Sequence, residues 1–179
     1  MTYRNFALTP LGKPVVAFAV LLATLLPLVV AGVAVLRVPA DAAGVDVLPL
    51  ARGQALVALL VLAVVLPLWR RQAAFDGERL RVRATWFSRE SPVSEFRLDQ
   101  ARVLDLREHQ DVRPRLKTMG YRLPGFWGGH FRLRDGRRAF CLVSDPAKVL
   151  MLPHADGGVW LLSLQHPQAV LDILRRSRA

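Results

Sequence analysis

Residues Pro14–Leu36 read PVVAFAVLLATLLPLVVAGVAVL, a run of 23 residues without a charged side chain. As an α-helix, this segment would extend about 34 Å at about 1.5 Å per residue, which exceeds the hydrocarbon core of about 30 Å in a typical bilayer. Lys13 and Arg37 flank the run, where their long side chains can reach lipid headgroups. A buried helix of a soluble protein rarely lacks a polar face over such a length. The segment therefore predicts a first transmembrane helix at 14–36.

A cleaved signal peptide is the alternative for this segment. Arg4 and Lys13 form a basic start, and Ala40-Asp41-Ala42 resembles the small-residue pattern of a cleavage site. The apolar core of a signal peptide is usually about 7–15 residues long, however, and this run is much longer. We therefore expect a permanent membrane anchor, although the sequence leaves cleavage open.

Further along the chain, a second apolar segment ends at Arg70-Arg71. Gly53–Trp69 contains 17 residues, of which Ala55–Leu68 are uncharged and apolar. A helix of this length extends about 25 Å at about 1.5 Å per residue, so it requires local thinning of the bilayer or a more polar upstream turn. Trp69 suits the interfacial aromatic belt of a membrane protein. We predict a second transmembrane helix at 53–69, with a re-entrant segment as the alternative.

Basic residues near the ends of the two spans indicate the orientation. Arg4 and Lys13 precede the first span and an arginine-rich segment follows the second, whereas Arg37 and Arg52 in the connecting loop are balanced by two aspartates. This distribution favours a membrane protein with both termini in the cytoplasm. The predicted division is a cytoplasmic tail at 1–13, spans at 14–36 and 53–69, an extracytoplasmic loop at 37–52, a basic juxtamembrane linker at 70–76 and a domain at 77–179.

The net charge is high for a chain with so much apolar sequence. There are 25 Lys and Arg residues against 14 Asp and Glu, a formal charge of +11. Such an excess often indicates nucleic-acid binding, but 53% of the residues are hydrophobic and no nucleic-acid-binding motif occurs, so we expect no nucleic-acid partner. The single cysteine, Cys141, excludes a disulfide within the chain and a cysteine-cluster metal site, and we predict that it is a small core residue.

From Gly77 onward, short alternating apolar and polar runs separated by turn residues are typical of β-strands. The stretch Glu108–Gly125 is expected to form no single element, because it contains two prolines and two glycines. Seven strands and a C-terminal helix would form an α+β domain, an antiparallel barrel or sandwich closed by the helix. The predicted strands are 78–86, 91–96 after a turn at 88–92, 101–107, 127–133, 137–143 after an Asp-Gly turn, 148–152 and 159–164, and the helix is 167–176.

Residues Gly120–Leu133 read GYRLPGFWGGHFRL, with the pattern Gly-x-x-x-Pro-Gly-apolar-x-x-Gly-x-Phe. This pattern and the order of the elements over roughly 76–176 resemble bacterial pleckstrin-homology (PH)-like domains attached to membrane hairpins. The resemblance implies a seven-stranded antiparallel PH-like barrel capped by the C-terminal helix, in a family mostly of unknown function whose members need not bind phosphoinositides. The resemblance also implies a bacterial inner-membrane protein. Departures from it are an unusually arginine-rich segment after the first strand and His130, where a small or apolar residue is expected. Structural roles are implied for Gly120, Pro124, Gly125, Gly128, Phe131 and Gly136.

Two groups of residues are candidates for contacts. Arginines after the second span would lie close to the headgroups, where each basic side chain contributes about 1 kcal/mol of attraction to an anionic leaflet. A solvated face of an arginine-rich protein is the alternative. Exposed aromatic and basic residues near 113–127 would bind a protein partner, unless one aromatic ring fills the mouth of the barrel. The candidate membrane contacts are Arg70, Arg71, Arg79, Arg81 and Arg83, and the candidate partner contacts are Arg113, Arg115, Lys117, Phe126 and Trp127.

The sequence offers no pattern typical of an enzyme or of a cofactor site. The histidines His109, His130, His154 and His166 lack the spacing of metal ligands, and no serine lies in a Gly-x-Ser-x-Gly setting. The glycines between 125 and 129 are not followed by a phosphate-binding pattern. We therefore expect a non-catalytic interaction module without cofactor or metal. The alternatives are an anionic-lipid-sensing module and an accessory subunit of a membrane enzyme or transporter.

Overall fold

The computed structural model describes residues 4–36 and 47–178, which form an α+β architecture. Two long helices come first, α1 at Lys13–Leu36 and α2 at Val47–Val65, and they pack against each other. Both are long and apolar enough to cross a membrane, by length and composition. Many of their large apolar side chains are exposed, such as Leu28 at 71%. The residues between the helices, with the predicted cleavage pattern, lie outside the described residues.

The second apolar segment differs from its prediction at both ends. Helix α2 begins before Arg52, which we placed in the preceding loop, and it gives way to a 3₁₀ turn at Leu66–Trp69. Pro67 explains this change, because a proline nitrogen cannot donate the next hydrogen bond of an α-helix. The side-chain amide of Gln54 donates a 3.0 Å hydrogen bond to the carbonyl oxygen of Pro27. This bond joins the two helices within their apolar length.

The first sheet has four antiparallel strands in the order β1-β2-β3-β4. They are β1 at Arg4–Phe6, β2 at Arg71–Phe75, β3 at Arg79–Ala84 and β4 at Phe87–Pro92. Strand β1 lies in the expected N-terminal tail, and β2 occupies the segment 70–76 that we expected to be a linker. The rings of Phe6 and Phe75 stack with centroids 6.3 Å apart. The segments on either side of the two long helices are therefore parts of one sheet.

The second sheet has six strands in the order β5-β9-β10-β8-β7-β6. Strands β8 and β10 run parallel, and the remaining neighbours are antiparallel. The prediction of seven antiparallel strands is therefore wrong in number and in this pairing. The strands are β5 at Arg102–Leu104, β6 at Pro114–Leu123, β7 at Phe126–Leu133, β8 at Arg138–Val143, β9 at Val149–Pro153 and β10 at Val159–Ser163.

Strand β6 occupies most of the stretch that we expected to be irregular. It lies at an edge of the second sheet and shifts register between Pro114 and Leu116 and again between Lys117 and Met119. Residues 115–119 are exposed. Because the bulges break the alternation of side chains and the edge has little apolar surface to bury, the sequence pattern of a strand is weak here.

The first hairpin reverses earlier than predicted. Its turn lies at Thr85–Trp86, so β4 occupies 87–92 instead of the predicted 91–96, where the structure has a short 3₁₀ turn at Val93–Glu95. Thr85 adopts a left-handed backbone conformation with φ of 61°. Residues other than glycine, asparagine and aspartate seldom adopt this conformation, so the sequence gives no sign of the turn.

Two apolar cores lie on the two faces of the six-stranded sheet. The larger is built from the inner faces of both sheets and from helix α3 at Pro167–Arg178, whose Val170, Leu171 and Leu174 are buried. The smaller lies on the opposite face, where Leu106 and Val112 from the loop before β6 cover the strands. Because both faces are covered, β8, β9 and β10 are almost entirely buried.

The N-terminal segment connects the two sheets. After β1, Leu8 forms an isolated β-bridge with Leu164, and the Thr9 amide donates a 3.2 Å hydrogen bond to the carbonyl oxygen of Ser163. Val15, in the first turn of α1, is fully buried in the larger core. Residues that precede the apolar part of α1 are thus integral to the folded domain.

Candidate membrane-facing site

One end of the domain meets the two helices, and we call it the hairpin-proximal end. It comprises the 3₁₀ turn Leu66–Trp69, the β3–β4 turn Thr85–Trp86 and the β6–β7 turn Pro124–Gly125. Arg71 pairs with Ala84, so the β3–β4 turn lies beside the point where α2 passes into β2. A Cβ atom added to Gly125 would lie 3.1 Å from the ring of Pro14, so the β6–β7 turn touches the start of α1.

Two exposed tryptophans and an arginine occupy the hairpin-proximal end. Trp69 is 69% exposed and Trp86 is 59% exposed. The Arg70 guanidinium lies 5.9 Å from the centre of the Trp86 ring, a cation–π contact between the two turns. The left-handed Thr85 places Trp86 in this position. Large exposed aromatic rings beside basic groups are typical of residues at the membrane–water interface.

The candidate arginines of β3 share one face, as the alternation predicts, but they differ in environment. Arg79, Arg81 and Arg83 are exposed, whereas the residues between them are buried. Glu90 on β4 accepts ion pairs from Arg81 at 2.6 Å and from Arg79 at 3.5 Å. Arg83 is the nearest of the three to the β3–β4 turn. Among the ion pairs of the described residues, Glu90 therefore engages the two β3 arginines farther from this turn and not Arg83.

Arg71 is the least exposed of the candidate membrane contacts. One terminal nitrogen donates a 3.3 Å hydrogen bond to the carbonyl oxygen of Thr9, and the guanidinium carbon lies 5.9 Å from the centre of the Phe126 ring. Its Nε is buried and has no hydrogen-bond partner in the described part of the chain. Burial away from water lowers the pKa of Arg71, because the charged form loses hydration. Within the described residues no carboxylate pairs with this cation.

An apolar groove of about 210 Å³ lies beside these arginines, between α1 and the end of α2. Its walls carry almost no polar surface, and five of its lining residues follow α1 from Val15 to Ala23. Small side chains at Ala19 and Ala23 leave the space open on the α1 side. The groove is lined by Leu11, Val15, Val16, Ala19, Val20, Ala23, Val65, Leu68 and Trp69.

The structure separates the candidate partner residues into two groups. Phe126 is fully buried in the larger core, so its ring is not available as the exposed partner contact that we predicted. Trp127 is half-buried against the smaller core, with the Arg113 guanidinium 5.9 Å from its ring centre. Arg115 and Lys117 are exposed on β6.

Sequence reasoning missed the apolar residues that accompany these cations. Leu116 and Met119 on β6 are each 60% exposed, although each is a large apolar side chain. No sequence pattern selects them, because they lie in the stretch that we expected to be irregular. Together with Arg115 and Lys117 they form a mixed basic and apolar strip along one sheet edge, which we call the β6 strip.

The residues of the glycine-rich motif have structural positions. Gly120 pairs with Gly129 across β6 and β7, and a Cβ atom at Gly120 would overlap the carbonyl oxygen of Gly128. Pro124 and Gly125 form the exposed β6–β7 turn, and Phe131 is buried in the smaller core. Gly136 occupies the predicted β7–β8 hairpin turn with φ of 86°. His130, the unexpected residue of the motif, is half-buried, and burial followed by the charge of Arg89 lowers its pKa.

A polar cluster outside this site was not predicted either. The Ser91 hydroxyl lies 2.7 Å from Nε2 of His154 and 2.6 Å from a carboxylate oxygen of Glu95. Nδ1 of His154 lies 3.0 Å from a carboxylate oxygen of Asp156, which also pairs with Arg89 at 2.8 Å. The contacts join residues far apart in the sequence, brought together by the β-bridge between Phe96 and His154. No spacing in the sequence could have indicated them.

This serine, histidine and aspartate combination does not have the geometry of a hydrolase. Ser91 and His154 are 4% and 7% exposed, so a substrate has no access to the hydroxyl. The Glu95 carboxylate beside the hydroxyl would also repel the oxyanion of an acyl-transfer intermediate. We therefore interpret the cluster as a structural network between the two sheets. In the part of the chain that the structure describes, no group of three His, Cys, Asp or Glu side chains could hold a metal ion.

The site is accordingly defined by Trp69, Arg70, Arg71, Arg83 and Trp86, together with the adjoining apolar groove. This combination of exposed aromatic rings, cations and an apolar groove suits contact with an anionic, amphiphilic surface. Comparisons with protein-family models, with curated proteins and with solved structures find no match to this chain.

Proposed function

We propose that this protein is a non-catalytic interaction module of the bacterial inner membrane. A helical hairpin formed by α1 and α2 anchors it, and the cytoplasmic domain rests on the anionic leaflet through its hairpin-proximal end. The observation that carries this proposal is the grouping of Trp69, Arg70 and Trp86 at the end of the domain from which both apolar helices emerge.

The positions of Trp69 and Trp86 relative to the apolar helices support a location at the depth of the lipid headgroups. Trp69 directly follows the apolar segment, and the β3–β4 turn brings Trp86 to the same end of the domain. Aromatic rings favour this depth because one edge is apolar and the other can form hydrogen bonds. Each nearby arginine adds about 1 kcal/mol of attraction to an anionic leaflet. Tethering by the helices keeps Arg70 and Arg83 within that range.

We also propose that the domain is PH-like. The support is the order of elements, in which antiparallel hairpins lead to a C-terminal amphipathic helix that covers the core. The parallel pairing of β8 and β10 and the additional strands β1, β2 and β6 are departures from the seven-stranded antiparallel barrel that the resemblance implies.

The test uses the full-length protein in nanodiscs, with Trp69→Phe and Trp127→Phe so that Trp86 reports the interface while Trp160 stays buried. We expect lipids that carry a quencher at the headgroup to quench Trp86 more strongly in nanodiscs that contain phosphatidylglycerol than in phosphatidylcholine alone. Combining Arg70→Glu with Arg83→Glu should reduce this difference. Arg134→Glu is the matched control, because Arg134 is exposed in the β7–β8 turn at the other end of β7. If aqueous iodide quenches Trp86 equally in both bilayers, the domain does not rest on the leaflet.

The β6 strip favours a second candidate function, binding of a protein partner such as a membrane enzyme or transporter that this chain serves as accessory subunit. Leu116 and Met119 expose apolar surface, and Arg115 and Lys117 supply positive charge beside it. Such mixed surfaces are typical of protein interfaces. We expect affinity purification in mild detergent to recover a partner with an acidic surface. Leu116→Asp should abolish its recovery and Arg134→Glu should not, whereas equal recovery from both variants would exclude the strip.

A further inference from the structure

We propose that the apolar groove and Arg71 together form a binding site for one anionic phospholipid, with an acyl chain in the groove and the phosphate at the Arg71 guanidinium. This inference rests on the proposed function, since it names the ligand class of the same hairpin-proximal end. It adds a discrete, stoichiometric site to the general attraction between arginines and the leaflet.

The state of Arg71 is the first observation behind the site. Its guanidinium is partly removed from water, and within the described residues it makes one hydrogen bond, to the Thr9 carbonyl, and no ion pair. Removing a charge from water without a counter-charge is unfavourable. The cation–π contact with Phe126 offsets a part of this cost. A phosphate group at the terminal nitrogens of the guanidinium would supply the missing counter-charge, because a guanidinium binds phosphate with parallel hydrogen bonds.

The groove supplies the second observation. Its lining includes Leu68, three residues before Arg71, and Leu11, two residues after Thr9, whose carbonyl oxygen accepts the hydrogen bond from Arg71. Its apolar walls exclude a polar ligand, and its length lies along α1, in the direction in which acyl chains run beside a membrane helix. An anionic headgroup with an attached hydrocarbon chain is the chemistry that satisfies both the cation and the groove.

The groove is not simply a gap that a side chain of the domain would fill. Ala19 and Ala23 are the smallest residues of its α1 wall, and Trp69 on the opposite wall is 69% exposed. A bilayer would fill this space with hydrocarbon, because water in contact with apolar walls is unfavourable. The charge of Arg71 at one end then selects among the lipids that enter.

The experiment measures lipid preference at Trp69 in the full-length protein, with Trp86→Phe to remove the other interfacial reporter. Nanodiscs of phosphatidylcholine contain a minor fraction of either phosphatidylglycerol or phosphatidylcholine with brominated acyl chains, which quench tryptophan on contact. We expect the brominated phosphatidylglycerol to quench Trp69 more strongly. Arg71→Gln should lower this preference about fivefold, the effect of one basic side chain at the leaflet.

Two further variants make the result decisive. Ala19→Leu should fill the groove and lower quenching by both brominated lipids while leaving Arg71 in place. Arg134→Gln removes an exposed cation in the β7–β8 turn, away from the hairpin-proximal end, and should leave the preference unchanged. If Arg71→Gln retains the wild-type preference, or Ala19→Leu retains the wild-type quenching, the lipid site is wrong. In that case headgroup quenching of Trp86 still decides separately whether the domain rests on the leaflet, so failures of the two proposals are distinguishable.

Discussion

Gly120 lies where β6 approaches β7 too closely for a side chain. Its φ of 153° is unusual for other residues, and a Cβ atom would overlap the carbonyl oxygen of Gly128. We expect Gly120→Ala to lower the free energy of unfolding by about 1–3 kcal/mol more than Gly157→Ala does. Gly157 is the matched control, because its φ is also positive but its Cβ position is open. Thermal unfolding in detergent measures both, and equal losses would show that the contact with Gly128 is not limiting.

Cys141 is fully buried, and burial raises the pKa of its thiol. We expect no reaction with a maleimide in the folded protein and complete reaction after denaturation, because thiolate is the reactive form. Ser88→Cys in a Cys141→Ala background is the exposed control. Rapid labelling of the native protein would contradict the buried position.

The buried thiol of Cys141 should also make stability fall as the pH rises above about 8.5, because the thiol then ionises in the unfolded chain but stays protonated in the folded one.

For single residues, the sequence could predict which side chains share one face of a strand, but not which residues they contact in the fold. Alternation in β3 correctly placed Arg79, Arg81 and Arg83 on one face, because the side-chain period of a strand is two. The same reasoning could not decide between Phe126 and Trp127, since adjacent residues on a strand point to opposite faces and either face could be the interior. Which ring is buried depends on how the two sheets pack, because Phe126 lies in the larger core between them and Trp127 packs against the smaller core on the opposite face.

At the scale of elements, the network around Ser91 and His154 joins β4 to the β9–β10 turn. We expect Ser91→Ala to lower the free energy of unfolding by about 1–3 kcal/mol, because it leaves His154 and Glu95 without a buried hydroxyl partner. Ser88→Ala on the same strand is exposed and should change stability little. Denaturation by urea in detergent compares the two variants. A similar effect of both would mean that the network adds no stability.

The same network should make the stability of the fold depend on pH in the acidic range. Partial burial alone would raise the pKa of Asp156, but hydrogen bonds from the Gly158 amide and from Arg89, with the charge of His154, outweigh it and lower the pKa. The carboxylate therefore stabilises the fold above the unfolded value of about 3.9, and this contribution is lost as the pH falls through the lower folded pKa. We expect Asp156→Asn to reduce the loss of thermal stability between neutral pH and about pH 3. An unchanged acid dependence would argue against this role.

Elements with a clear period could be predicted, and those that depend on partners could not. The transmembrane-length helix α1, strands β3 and β7–β10 and helix α3 all match their predicted positions within a few residues. Strands β1 and β2 are short and flank the apolar spans. From the sequence, their apolar residues could equally belong to the ends of the predicted transmembrane helices. Strand β6 is bulged and exposed at a sheet edge, so apolar and polar residues do not alternate regularly in its sequence.

For the whole molecule, the sequence left the nature of the basic surface open, and the structure divides it into three regions. Ion pairs within the first sheet partly neutralise the β3 face. The β6 strip combines cations with exposed apolar side chains, and the hairpin-proximal end combines them with tryptophans. No composition or spacing could separate these regions, because each draws its residues from distant parts of the chain. The proposals for lipid and for protein partners follow from this division.

The pairing of β1 with β2 also constrains how the whole chain meets a membrane. Strand β1 precedes α1 and β2 follows α2, yet they pair over Arg4–Phe6 and Ala73–Phe75. If both helices cross the membrane, the segments before and after them must lie on the same side. Cleavage near Ala40 would remove β1 and the buried Val15 from the folded domain. The sheet therefore favours an uncleaved anchor over a signal peptide.

We accordingly expect the mature protein to retain a tag placed at its N-terminus. In spheroplasts, N-terminal and C-terminal tags should both resist external protease, because the basic flanks favour the cytoplasm and β1 must reach β2. A tag inserted between α1 and α2 should be cleaved, which controls for protease access. Deleting residues 4–6 should lower the thermal stability of the domain, since it removes an edge strand and the contact between Phe6 and Phe75. Loss of the N-terminal tag, or tags on opposite sides, would contradict the paired arrangement of β1 and β2 in the membrane.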